Sequence, residues 1–360
     1  MLGRLLVLSV MLSSIIEARP QQLIAPDYYQ QDLVNYLMIN YKTSDNLDYD
    51  DARDIMYSLI DMHDDSLLSC VYTGFTIALD PSKDPSTEAF YKGVNCEHSW
   101  PQSMGADQEP QKSDMHHLFP CKSNVNSSRG NDPYAQIPDA NTDKWYNLAS
   151  YQSTVPTNNI DDYAEKENDG QQTFEPREAH KGDAARAMFY FYSIYNDVAD
   201  TNFWNLQKDV LLQWHYADPV DQREYDRTMK IASYQDNIPN PFILDSTLAR
   251  RILHRVTKPV STTKNSKPNA FQLVQNYPNP FNPSTWISYE LPERSSVRLV
   301  VFDLSGHEVL NLQHAEKPPG HYEFQWNGLD NSGNPVGTGV YFCRLESGGL
   351  SQTIKMVYLR

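Results

Sequence analysis

The sequence predicts an α+β chain in two parts, a mixed helix-and-strand unit followed by a small β-sandwich of immunoglobulin-like type. Three observations predict it. Helical spacing of apolar residues and β-branched runs are mixed over the first 250 or so positions. The stretch VTKPVSTTKNSKPNA, residues 256–270, then carries no apolar pattern and reads as a linker. Beyond it, several short alternating or apolar runs sit between turns such as Leu304-Ser305-Gly306 and Asn331-Ser332-Gly333.

Taken in order, Arg4 precedes an apolar run from Leu5 to Ile16, with Ala18 as a cleavage position, so residues 1–18 read as a secretory signal. That run is too short to span a bilayer, and no later stretch is long and apolar enough to do so. The expected chain is therefore secreted or cell-surface, with the mixed helix-and-strand unit in residues 19–255 and the sandwich in 271–360.

Leu33, Tyr36, Leu37 and Tyr41 recur at helical spacing. Asp50 and Asp51 open a second helix carrying Ala52, Ile55, Met56 and Leu59, because acids favour the positive end of the helix dipole. Ser69–Leu79 is rich in β-branched and aromatic residues and reads as one strand. Asn131–Gly170 has little periodicity and reads as a long surface excursion. The helix at Glu178–Tyr195 presents Ala184, Ala185, Met188, Phe189 and Tyr192 on one face, an aromatic stripe that suits a core. In the last part, Ser284–Leu291, Ser296–Asp303, His321–Trp326, Gly339–Leu345 and Thr353–Leu359 read as strands.

Most of the chemistry lies between Asn95 and Tyr134, in the blocks NCEHSWPQS, SDMHHLFP and NVNSSRGNDPY. They hold Glu97 and His98, then Asp114, His116 and His117, then Asn126, Arg129 and Asn131. An imidazole near neutrality can act as a general base, and carboxylate or carboxamide oxygen suits a hard divalent cation. Successive residues in a strand point to opposite faces, so Glu97 and His98 can share a site only where the strand ends or bulges, and Pro101 fits such an end. Ser123 as N-cap and Gly130 as stop define a short helix from Asn124 to Arg129, which puts Asn126 and Arg129 on one face. If Asp114–Phe119 is a strand, His116 and His117 face opposite ways. One then supports the site and the other serves the scaffold. A zinc site using His117 and Cys121 is the competing reading, but no pair of zinc-ligand spacings is present.

The order and spacing of EHSWPQS, SDMHHLFP and VNSSRGN resemble the endonuclease I family, secreted or periplasmic nucleases of the ββα-metal (His-Me finger) class. The likeness extends from about Asp50 to about Leu253, with QDNIPNPF at Gln235–Phe242 departing from an expected Gly-containing turn. The resemblance implies a ββα-metal core embedded in helices, His98 as general base, and Glu97 and Asn126 as ligands of one divalent cation. Magnesium is the first expectation for that ion, with calcium and manganese as alternatives. Arg129 matches the arginine of the family's R-G-N turn, and Arg129, Asn131 and Arg186 are the expected substrate contacts. The blocks YPNPFNPST, VVFDLSGHEV, WNGLDNSGNPV and GTGVYFCRL resemble the C-terminal sorting domain of type IX secretion substrates, which implies the secretion machinery as a partner.

Four cysteines in 360 residues do not make a disulfide scaffold; Cys96–Cys121 is the favoured pairing if a bridge forms, and the alternative is that Cys70, Cys96 and Cys121 are all buried small apolar thiols. The bridge would close a loop worth about 3 to 4 kcal/mol in the chain-entropy model. The net charge of −16 opposes a protein that coats nucleic acid. Residues 265–360 hold 7 Lys+Arg against 8 Asp+Glu, so nearly all of that acidity precedes them. A nuclease of this charge needs a local basic strip, for which Arg129, Lys112, Lys122 and Arg186 are candidates. The function expected is a largely sequence-non-specific endonuclease on DNA, with RNA as a second substrate. The rival readings are an inactive nucleic-acid-binding or adhesion protein and a phosphodiesterase on another substrate.

Overall fold

The computed structural model describes residues 23–44, 47–63, 65–253, 270–276, 279, 281 and 285–358. The expected signal segment and nearly all of the expected linker lie outside these residues. No helix among them is long and apolar enough to cross a membrane.

Helix α1 (Gln30–Tyr41) buries Leu33 and Leu37, and α2 (Tyr49–Ile55) continues as a wider turn to Ile60. Asp48 starts α2 by accepting the amides of Asp50 and Asp51, both at 3.0 Å. The segment expected as one strand folds instead as a hairpin of β1 (Leu67–Ser69) and β2 (Thr76–Ala78). Gly74 permits that reversal, because its φ of +68° is open to glycine and costly to residues with a Cβ.

Next come α3 (Pro85–Tyr91), β3 (Val94–His98), β4 (Leu118–Lys122) and α4 (Ser123–Arg129). Lys122, not Ser123, holds the N-cap position of α4. Between β3 and β4, Asp114–Phe119 is not a continuous strand. Asp114 Oδ1 accepts the His116 amide at 3.0 Å and winds Met115–His117 into a short 3-10 turn.

The expected excursion contains three strands of a four-stranded antiparallel sheet that β8, just beyond it, completes, in the order β6 (Ser150–Gln152), β5 (Lys144–Asn147), β7 (Ala164–Lys166), β8 (Phe174–Glu175). Five helices follow: α5 (Lys181–Ile194), α6 (Thr201–Ala217), α7 (Gln222–Ala232), α8 (Pro241–Leu244) and α9 (Thr247–Leu253). Helix α5 is buried on nearly every side rather than along one stripe. Its Phe191 stacks on Trp100 at 4.8 Å and its Tyr192 on Trp204 at 4.2 Å, so the aromatics form core. In QDNIPNPF, Asp236 and Asn237 adopt φ of +54° and +61°, the conformation expected of glycine, which short polar side chains tolerate.

The C-terminal part is two antiparallel sheets around a separate apolar cluster. One has the order β13 (Gly320–Trp326), β10 (Thr285–Leu291), β9 (Gln272–Leu273); the other β12 (Glu308–Lys317), β11 (Ser295–Phe302), β14 (Gly339–Ser347), β15 (Leu350–Tyr358). The five expected strands are all present. Strand β12 was not expected, because none of its residues is fully buried and its apolar contrast is weak.

Candidate active site

The three sequence blocks fold into one unit, the β3–β4 hairpin with α4 packed against it. Glu97 pairs with Phe119 and His98 with Leu118, and the ladder ends there. Asn95 and Glu97 face α4, while Cys96 and His98 face the other way.

On the α4 face, Asn126 Nδ2 donates to Asn95 Oδ1 and to the Cys96 carbonyl, both at 2.9 Å. Those two acceptors fix the amide and leave its oxygen without a partner among the described residues. Glu97 is sealed from water at 1% exposure. Its Oε1 accepts from Tyr72 OH at 2.8 Å and Arg129 Nη1 at 2.6 Å. Burial pushes the Glu97 carboxyl above its ordinary range, while Arg129 and Tyr72 pull it back. Tyr72 OH also lies 2.6 Å from Tyr134 OH. Neither tyrosine stood out in the sequence, because nothing local marks a residue 25 positions away as a carboxylate's partner.

Among the described residues no group of three or more His, Cys, Asp and Glu side chains could hold a metal ion. The donors left over are hard oxygens, Glu97 Oε2 and Asn126 Oδ1, on one face of the hairpin. That donor set fits a cation of the magnesium class by its chemistry.

On the opposite face, a ring nitrogen of His98, Nε2, lies 3.0 Å from the Lys112 carbonyl and 3.4 Å from Gln102 Nε2. The carbonyl can only accept, and the shorter contact decides, so Nε2 carries the hydrogen and Nδ1 keeps the lone pair. Burial, with His117 nearby, lowers the His98 pKa to about 3 and keeps the ring neutral. The rings of Tyr49 and His117 lie 5.4 and 5.5 Å away.

The histidine pair separates in space. His117 packs beside His98 and bonds the Gln111 carbonyl at 2.7 Å, whereas His116 turns away to the Ile238 carbonyl at 3.0 Å. Asp114 is a scaffold residue: its Oδ2 accepts from Tyr190 and Tyr195 hydroxyls, and its Oδ1 from Gln235 Nε2 at 2.9 Å.

Several expectations are corrected. Arg186 is not at a substrate surface: it is buried, with Nε 2.5 Å from Glu224 Oε1 and Nη1 2.7 Å from the Asp218 carbonyl. Arg129 is likewise consumed inside, by Glu97 and by the carbonyls of His98 and Ser99. Lys122 is tied to the Gly93 carbonyl at 3.2 Å. Of the four basic candidates, Arg129 and Lys112 both adjoin His98, and Lys112 is the one whose side chain has no hydrogen-bond or ion-pair partner among the described residues. Asn131 is exposed just after the Gly130 stop. The Cys96–Cys121 bridge is absent and all four cysteines are free. Cys121 pairs with Asn95 and Cys96 with Pro120, so the one-residue offset sends the two thiols to opposite faces.

Comparison with known proteins bears on the same region. Residues 8–247 match the family model for Endonuclease I, and residues 282–349 match the FlgD Ig-like domain. The "Extracellular ribonuclease" of Bacillus subtilis (strain 168) is 30% identical over 166 residues, covering 41% of this chain and 50% of that protein. That of Bacillus amyloliquefaciens is 32% identical over 165 residues, with the same coverage of each. The chain thus spans about half the length of these curated relatives. A solved FlgD from P. aeruginosa is 24% identical, covers 25% of this chain and 78% of that one, and has a TM-score of 0.20. The match over residues 8–247 takes in the whole hairpin–helix unit and more than half of the chain, and the chain belongs to the Endonuclease I family.

Proposed function

We propose that the chain is a secreted, metal-dependent endonuclease that hydrolyses phosphodiester bonds in DNA and RNA with little sequence preference. One observation carries the reading: a neutral imidazole at the last position of β3 stands next to a carboxylate that shares its face with a carboxamide oxygen on α4. The strand ends at His98, so a nucleic-acid strand crossing that end meets both faces of the hairpin.

In this mechanism His98 receives a proton from water at Nδ1, while the Lys112 carbonyl holds the ring in the tautomer that leaves Nδ1 free. Glu97 and Asn126 would hold the cation, which supplies charge stabilisation at the phosphoryl oxygens and the leaving oxygen. Tyr72 and Arg129 hold Glu97 in place, and Arg129 also fixes the carbonyls of His98 and Ser99. The C-terminal sandwich, by its resemblance, serves as an address for the type IX secretion machinery.

The test is digestion of plasmid DNA and of RNA by purified protein with magnesium, calcium or EDTA, alongside His98→Ala. Loss of a general base lowers the rate by roughly 10² to 10⁴. Cleavage in EDTA, or a wild-type rate from the variant, would remove the mechanism. A second reading follows from the burial of Glu97 against Arg129: a retained scaffold that binds nucleic acid without cutting it. Binding without nicking in every metal arm would favour it.

A further inference from the structure

Most buried cations in the catalytic part are spent on carboxylates: Arg129 on Glu97, Arg186 on Glu224, Arg251 on Asp245 and Lys181 on Glu175, as is the half-buried Arg227 on Asp61. The neighbourhood of His98 is different. Tyr49 opens α2 with its ring 5.4 Å from the His98 ring. The guanidinium of Arg53, one helical turn further along α2, lies 4.7 Å from the Tyr49 ring centre. The ammonium of Lys112, from the segment joining β3 to β4, lies 5.0 Å from the same centre. Two cations from different elements thus converge on one aromatic ring beside the proposed base.

Neither cation is firmly neutralised. Lys112 has no ion-pair partner among the described residues, and its backbone carbonyl is already committed to His98. Among the described residues Arg53 pairs only with Asp50, whose side chain is 82% exposed against 28% for Arg53, and a pair with one partner in solvent contributes little. A phosphate can therefore displace Asp50 at small cost. The Tyr49 ring face, electron-rich toward cations, holds both groups in place without cancelling their charge.

We propose that Arg53 and Lys112, seated on Tyr49, form the subsite that holds a backbone phosphate of the nucleic-acid strand next to the one being cleaved. This rests on the functional reading above and supplies the local basic strip that a chain of net charge −16 requires. Recognition through phosphate alone is independent of base identity, which matches a non-specific enzyme.

The test uses full-length protein and a fluorescently labelled single-stranded oligonucleotide. Binding is read by anisotropy in EDTA between about 50 and about 200 mM salt. Each lost phosphate contact on a single strand lowers the slope of log K against log salt by about 0.7. Lys112→Gln and Arg53→Gln should each show that drop, and the double variant about twice as much. Lys112→Arg should restore the slope. Lys355→Gln, on exposed β15, removes an equal charge and should leave the slope as in wild type. Unchanged slopes in Lys112→Gln and Arg53→Gln, or an equal drop in Lys355→Gln, would overturn the subsite. If those slopes stay flat while His98→Ala is inert, the subsite fails and the nuclease reading stands. If they drop while His98→Ala cleaves at the wild-type rate, the subsite stands and the assigned base fails.

Discussion

Arg129 Nη1 meets Glu97 Oε1 at 2.6 Å, and the two side chains are only 1% and 2% exposed. Such a pair is costly to bury and costlier to break, because removing one partner leaves the other charge unpaired inside the protein. Arg129→Met should therefore lower stability by about 3 to 5 kcal/mol. Adding Glu97→Leu should recover part of that loss. Recovery stays incomplete because the carbonyls of His98 and Ser99 also lose their donor. Urea unfolding of the single and double variants measures it, and a single variant as stable as wild type would contradict the buried pairing.

In the proposed mechanism Tyr72 acts on the site through Glu97. Its hydroxyl donates to Glu97 Oε1 at 2.8 Å and is held in turn by Tyr134 OH. Partners of this kind orient a ligand, and their loss typically weakens metal binding about 10- to 100-fold. Tyr72→Phe keeps the ring and its packing on Phe174 while deleting that bond. Calorimetric titration with magnesium or manganese should show the weakening with the fold intact. An unchanged dissociation constant would show that Tyr72 is only core.

The cysteines give a prediction of the opposite kind. Cys70 and Cys96 are each pushed up to about 12 by burial, and burial also raises Cys121 well above its ordinary value, so the native thiols are poor nucleophiles. Ellman's reagent should react slowly with folded protein and titrate all four thiols after denaturation. Reductant should not change the melting temperature. Two thiols missing after denaturation would reveal a bridge.

What the sequence could disclose depended on how locally each feature is determined. The strand end at His98 and the short helix are legible because that end, the stop at Gly130 and the one-face pairing of Asn126 with Arg129 are set by neighbours within a few positions, whereas the start of β4 is displaced by the turn that Asp114 winds. The strand expected over Ser69–Leu79 fails because a β-branched run masks the reversal that Gly74 allows. Arg129 and Arg186 read as surface contacts because their partners lie 32 and 38 positions away, a distance across which no periodicity reports. Lys112 was singled out as a candidate cation from sequence, yet Tyr49, whose ring it meets, and Arg53 sit on a helix that looked merely structural.

His215 supplies a test of buried histidine as a limit on acid stability. It is enclosed in α6, with Nε2 2.9 Å from the Ser246 carbonyl and Nδ1 buried without a partner. Burial, helped by the Arg186 charge, lowers its pKa from 6.5 to about 3. Between those values the unfolded chain binds a proton that the folded chain refuses, so stability falls as pH drops through this window and is fully present above it. The slope from one such group is at most about 1.4 kcal/mol per pH unit. His215→Gln keeps a donor for the Ser246 carbonyl but cannot take up that proton. Urea midpoints measured from neutral pH down through this window should therefore fall less steeply for the variant than for wild type. Parallel lines for the two proteins would mean that His215 stays uncharged in the unfolded chain as well, or charges freely in the folded one, and the enclosure of its ring in α6 would then be wrong.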